Sequence, residues 1–230
     1  EDVHNADFLM VIGANPWQSH GFPRARTVLQ EFSKDPNKTL VVIDPIRTET
    51  AEKADIHLQV RPGGDAHLLL AMLGYLVQEG LVDTNFIAEH CEEYAGLEQA
   101  LRGIPVDEYC TKADIDPAVM KDITRKYAQT EKACVRTDLG LEQSLHSTLN
   151  LYLSKLLWLL TGHFAKPGTQ VFHTSIVPLI GNSKEPQEGG MTTKASGAKE
   201  IGKLFPPNVL PLEIDNDRED RIRAVVVESL

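Results

Sequence analysis

The two runs Phe8-Leu9-Met10-Val11-Ile12 and Thr39-Leu40-Val41-Val42-Ile43 constrain this chain most. Each is almost wholly apolar and stops abruptly, at Gly13-Ala14-Asn15-Pro16 in the first case and at Asp44-Pro45 in the second. Short apolar runs without alternation suit strands buried on both faces, as in a parallel sheet sandwiched between helices. Open sheets of that kind bind ligands just beyond the carboxyl ends of their strands. The residues following each run are therefore the first candidates for a site.

Strand and helix signals alternate along the chain. Phe22, Ala25, Val28, Leu29 and Phe32 recur at helical spacing, and Pro23 suits a first helical turn. A short helix is expected over 48–53 and a third strand over 56–60. Arg61-Pro62-Gly63-Gly64-Asp65 then turns into a strongly apolar helix, with Gly80 as its left-handed terminator. Asp83 and Asp116-Pro117 signal further helix starts, and another helix is expected over 92–101. A fourth strand is predicted over 133–137, and a helix apolar nearly all round over 147–160. The stretch 181–202 turns to Gly, Ser, Lys, Glu and Pro and reads as a connecting loop, followed by a fresh strand over 222–227. The prediction is an α/β fold with a mostly parallel sheet.

At 230 residues, 42% of them hydrophobic, the chain suits one large domain, or one domain and a piece of another. No run is long enough to span a bilayer, since the apolar stretch 149–160 is broken by Asn150, Ser154 and Lys155. No secretory signal is read at its start, and it opens at Glu1 rather than methionine, as a piece of a longer precursor would. A net charge of −10 argues against a nucleic-acid surface, but leaves room for one anionic ligand held by backbone amides. Cys91, Cys110 and Cys134 lack any CxxC or Cys/His spacing and read as buried or free thiols, which fits a reducing compartment.

Four places carry polar groups suited to a ligand. Gly13 permits close backbone approach, Asn15 and Ser19 can donate to a pyrophosphate, and the helix expected near Phe22 offers free amides. The same loop also reads as a plain strand–turn–helix connection, having neither GxGxxG nor GxxxxGK[ST]. Asp44 can accept from ribose hydroxyls or act as a turn acid before Pro45. Arg47, Thr48 and Thr50 share its rim, whereas Glu49 is expected to face solvent. Asp65 either caps the apolar helix or reads guanine, whose N1–H and N2–H offer a carboxylate two parallel donors. Gly140, Gln143, Ser144 and His146 form a polar loop at the same sheet edge, where His146 also reads as a helix cap. His163 and His173 flank the next turn and are weaker candidates. No catalytic or metal-ligating residue is assigned, because no nucleophile–base pair, carboxylate dyad or ligand cluster stands out.

The ordered series Ile12-Gly13-Ala14-Asn15-Pro16, Ser19-His20, Ile43-Asp44-Pro45 and Arg47-Thr48-Glu49-Thr50-Ala51 resembles the molybdopterin oxidoreductases of the dimethyl-sulfoxide-reductase superfamily. The likeness continues through Ala54-Asp55, Arg61-Pro62-Gly63-Gly64-Asp65, Gly140-Leu141-Glu142-Gln143-Ser144 and Leu160-Thr161-Gly162 to Lys166-Pro167-Gly168. Each motif alone is weak; their order is specific. Two departures are visible: Ile46 stands where the family often has Arg, and His163 where Asn is common.

The resemblance implies a Rossmann-like three-layer αβα domain over 1–180, with 181–230 forming the connection to, and first strand of, a neighbouring pterin-binding domain. It implies a fragment of a catalytic subunit that holds molybdenum or tungsten through two molybdopterin guanine dinucleotides, with no turnover from the fragment alone. Carried over by position, Asn15, Ser19 and His20 would lie by the pyrophosphate, Asp44 and Arg47 by ribose and phosphates, Asp65 by guanine, and Gly140 and Gln143 near the pterin, with Gly13 and Gly63 also counted as cofactor-binding. An iron–sulfur cluster is expected in the parent's amino-terminal part. The expected partners are the parent's remaining domains and an electron-transfer subunit, with no nucleic acid and no membrane insertion. The compartment is cytoplasmic, or periplasmic if the parent is exported. The main rival is a non-catalytic nucleotide-binding module such as the central domain of a thiamine-dependent enzyme. A nicotinamide dehydrogenase, or an assembly subunit that has lost its cofactor, ranks behind it.

Overall fold

A computed structural model describes residues 1–171, 191–200, 205 and 207–225. The chain divides into two compact units, Glu1–Phe172 and His173–Leu230. In the first, strands β1 (Phe8–Ile12), β2 (Thr39–Ile43), β3 (Ile56–Leu58) and β4 (Ala133–Thr137) form a four-stranded sheet in the order β3-β2-β1-β4. Every pairing is parallel. All residues of β1 and β2 are buried, which explains why their sequences do not alternate.

Helices cover both faces. They are α1 (Pro16–Ser19), α2 (Ala25–Phe32), α3 (Asp65–Gln78), α4 (Thr84–His90), α5 (Tyr94–Arg102), α6 (Val106–Ala113), α7 (Pro117–Gln129), α8 (Leu139–Glu142) and α9 (Ser147–Leu160). Phe8, Met10 and Ile12 pack with α3, α6, α7 and α9 in one apolar cluster, while Leu9 and Val11 face Val28, Leu29 and Phe32 of α2 in another. The pleat of a strand sends alternate side chains to opposite faces, so one five-residue strand feeds both cores. The architecture is the predicted α/β sandwich. None of the described helices is long and apolar enough to cross a membrane.

Several local expectations shift. The helix expected from Phe22 starts at Ala25, because Arg24 adopts left-handed backbone angles (φ +55°) at its cap. The preceding loop contains the single turn α1, with Pro16 in its first position. The helix expected over 48–53 reduces to a 3-10 turn, Ala51–Lys53. β3 stops at Leu58, since the Val60 amide folds back onto the Leu58 carbonyl and Arg61 donates to Ala113 instead of continuing a ladder. Beyond α3, Gly80 takes φ +66° and the Leu81 amide reaches the Leu76 carbonyl, closing the helix as expected. Asp83 and Asp116 cap α4 and α7 through the amides of Phe86 and Ala118.

In the second unit, α10 (Leu210–Ile214) follows a 3-10 turn, and Thr192 bridges Lys199 antiparallel. The Glu213 carboxylate accepts from the amides of Ala195 and Ser196, which with lesser contacts hold it down at about pH 2. A cavity of about 430 Å³ lies beside α10, lined by Phe205, Val209, Leu210 and Ile222 among others. Of the strand expected over 222–227, the described residues 222–225 are irregular and exposed. Positions 226–227, the loop residues 181–190 and 201–202, and His173 lie outside the described residues.

Candidate functional site

The four strands end level with one another. Ile12 pairs with Ile43 and with Thr137, and Ile43 pairs with Leu58. Their loops therefore open on one edge. β1 has β2 on one side and β4 on the other, so the chain's progress across the sheet reverses there, which is where open α/β sheets hold ligands. A cavity of about 520 Å³ lies at this edge. Gly13 lines it from the first loop, Asp44 and Pro45 from the second, and Pro62, Gly63 and Asp65 from the third. Gly140 and residues Gln143 to His146 line it from the fourth, and Asn150 from α9. Another depression, of about 540 Å³, lies between α3, α6 and α7, away from the strand ends. Its cations are already engaged, Lys121 with Asp107 and Arg125 with Tyr75.

Gly13 and Gly140 meet backbone to backbone. The Gly140 amide donates to the Gly13 carbonyl at 2.9 Å, and Gly13 is left-handed at φ +58°. A Cβ on Gly140 would fall 2.5 Å from the Gly13 oxygen, and one on Gly13 would fall 2.8 Å from the Leu141 nitrogen. The close approach expected of Gly13 is, within the protein, an approach to Gly140.

Asp65 is the first residue of α3, and Gly64 holds the cap position without any side-chain cap bond. The capping alternative for Asp65 is thus not what the structure contains. Its carboxylate is buried and accepts only from its own backbone amide among the described residues. Burial pushes its pKa up, and the neighbouring Asp44 carboxylate adds to that. Asp44 behaves as a turn acid at one oxygen: Oδ1 accepts from the Ile46 amide at 3.0 Å, and its backbone carbonyl bonds the His57 ring.

Asn15, Ser19, His20 and Arg47 stand apart from the cavity lining. Asn15 is committed elsewhere: its amide donates to Glu49 at 2.8 Å and its carbonyl accepts from the Thr50 hydroxyl at 2.7 Å. Ser19 donates to the Asn15 carbonyl inside α1, His20 ends that turn in left-handed geometry, and Arg47 is exposed on the rim. Glu49 does not simply face solvent, for it is half-buried between Asn15 and Gln18. His146 occupies the cap position of α9 but makes no side-chain cap bond. His163 is a core residue, its Nε2 donating to the Thr130 carbonyl at 2.8 Å, and burial lowers its pKa to about 4.

Asn150 is the lining residue that sequence reasoning passed over, having treated it only as a break in an apolar run. It donates to the Ser144 hydroxyl at 2.9 Å, and its own carbonyl oxygen is buried without a partner among the described residues. A lone amide in an otherwise apolar helix was the available signal. Cys110 and Cys134 are buried, and burial raises their thiols to about 11 and about 12. Among the described residues no group of three or more His, Cys, Asp or Glu could hold a metal ion.

Residues 1–218 match the family model for molybdopterin oxidoreductases. The F420-dependent formate dehydrogenase subunit alpha of Methanocaldococcus jannaschii is 30% identical over 92% of this chain, and 28% of that protein is covered. A nitrate reductase of Shewanella frigidimarina is 28% identical over 84% of the chain, which covers 20% of its length. Among solved structures, acetylene hydratase from Pelobacter acetylenicus shares the fold with a TM-score of 0.62 at 24% identity, over 71% of this chain and 22% of that one.

Proposed function

The chain belongs to the molybdopterin oxidoreductase family, and we propose that its strand-end crevice holds the guanosine diphosphate part of a molybdopterin guanine dinucleotide. In this reading it is the cofactor-gripping part of a larger catalytic subunit. The chain spans under a third of the relatives it matches, which supports that view. When bound, the molybdenum or tungsten cofactor supplies two-electron redox chemistry, and this chain contributes grip and orientation. An iron–sulfur cluster and the residues that select the substrate would belong to the rest of the subunit, and an electron-transfer partner would complete it. Relatives named for formate and for nitrate leave the substrate to that remainder.

The observation that carries the reading is the Asp65 carboxylate: buried, unpaired by any other residue described, and lining the cavity at the switch point. A largely buried acid with no donor but its own backbone amide gains when a ligand supplies more. The guanine N1–H and N2–H pair fits both carboxylate oxygens. Gly13 and Gly140 leave bare backbone beside it, where side chains would intrude. Asp44 keeps one oxygen outside its turn bond for a ribose hydroxyl.

Calorimetric titration of the chain with GDP and ADP tests this. GDP should bind more tightly. Asp65→Ala should weaken GDP binding about a hundredfold or more, as loss of two charge-assisted hydrogen bonds implies. Asp65→Asn presents a donor beside an acceptor and should move the preference toward ADP. Equal or tighter ADP binding by the unaltered chain would favour the general nucleotide-module reading instead.

A further inference from the structure

The lining of the crevice carries negative charge and nothing fixed to balance it. Of the described residues that form it, Asp44 and Asp65 are acids and none is Lys or Arg. Asp65 is 9% exposed, and Asn150, at 2%, adds a carbonyl oxygen without a partner. The backbone amides best placed to serve an anion are spent within the protein. Gly13 donates to the Ile43 carbonyl at 2.9 Å, Gly140 to the Gly13 carbonyl at 2.9 Å, and Ile46 to Asp44 Oδ1 at 3.0 Å. The Asp65 amide, at the start of α3, is taken by that residue's own carboxylate. A phosphate is held by cations or by free amides at such loop ends. His146 is the one lining side chain that protonation could make positive, and it is exposed. Arg47 on the rim is exposed too, where salt screens its charge.

We propose that the crevice grips the nucleoside end of its ligand and gives the diphosphate end no favourable contact, so that guanosine binds at least as tightly as GDP. The inference rests on the crevice being a guanine-nucleotide site, and narrows it to the part of the ligand that supplies N–H and O–H donors. Two carboxylates beside a diphosphate are like charges, which repel at short range and less so in salt. A nucleoside is uncharged. It brings base N–H groups for Asp65 and a ribose hydroxyl for the oxygen that Asp44 keeps outside its turn bond. The cations that a diphosphate calls for have to come from outside this lining.

The test titrates the unaltered chain calorimetrically with guanosine, GDP, adenosine and ADP. It is run at about pH 8, above the ordinary histidine range, in about 0.05 M and about 0.5 M salt. In low salt guanosine should bind as tightly as GDP, or up to about fivefold more tightly, and any gap should close in high salt as the repulsion is screened. GDP binding more than about twofold tighter than guanosine, and weakening as salt rises, means that cations grip the phosphates. That result overturns the proposal and leaves the guanine reading intact. If adenosine and ADP instead bind alike, and both more tightly than their guanine counterparts, the guanine reading falls while the phosphate-indifferent crevice stands. Absence of binding by all four removes both.

Discussion

A carboxylate that is largely buried, lies near a second acid and has few donors is expensive to keep ionised. Asp65 is such a group, and its raised pKa gives the crevice a pH signature. GDP binding should weaken on acidification while an ordinary aspartate would still be ionised. The other residue-scale constraint is steric. Gly140→Ala would drive a methyl group to within 2.5 Å of the Gly13 carbonyl oxygen, inside any normal contact. A cost of about 1–3 kcal/mol is expected from such overpacking, read as a lower urea midpoint. No loss of stability in that variant would mean that the two loops do not meet as described. Legibility at this scale was uneven. Asp65 stood out because a turn followed by an acid at a helix start is a local pattern. The engagement of Asn15 by Glu49 and Thr50 was hidden, since those residues lie a strand and a helix apart in the chain and meet only through the parallel pairing of β1 with β2.

Element boundaries follow how much of their cause is local. β1 and β2 were readable to the residue, because a strand buried on both faces leaves a nearly unbroken apolar run. Caps were readable for the same reason. Asp116 accepts from the Ala118 amide at 2.8 Å with Pro117 in the first helical position. Asp116→Ala should therefore cost about 1 kcal/mol of stability, the ordinary worth of such a cap. Asp116→Asn should restore most of it in the same denaturant titration. The start of α2 was not readable, since arginine carries no local signal for the left-handed turn at Arg24. Helix α6 went unmarked because only Val106, Cys110 and Ala113 are buried along it.

At the scale of the whole first unit, His163 ties the end of α9 to the exit of α7. Nε2 donates to the Thr130 carbonyl, and the Thr161 hydroxyl lies 2.8 Å from Nδ1. Its pKa falls from 6.5 to about 4 because burial disfavours the charged ring. Between those values the unfolded chain binds the proton that the folded one refuses, so stability is lost as pH falls through that window. The loss should approach, at most, about 3 kcal/mol by pH 4. His163→Gln should be less stable at pH 7 yet flatter between pH 6.5 and 4, when urea midpoints are plotted against pH. An unchanged slope in that variant would assign the acid sensitivity to another group. The sheet order carries one more consequence. Phe8 finds Thr39 soon after it is made, but Ala133 must wait for the entire run of helices to be synthesised. A nascent chain on the ribosome therefore presents β1 with one side bare for most of its production, and bare strands recruit strangers. Recovery of soluble protein should depend on how quickly the fourth strand arrives, more than on anything in the crevice it completes.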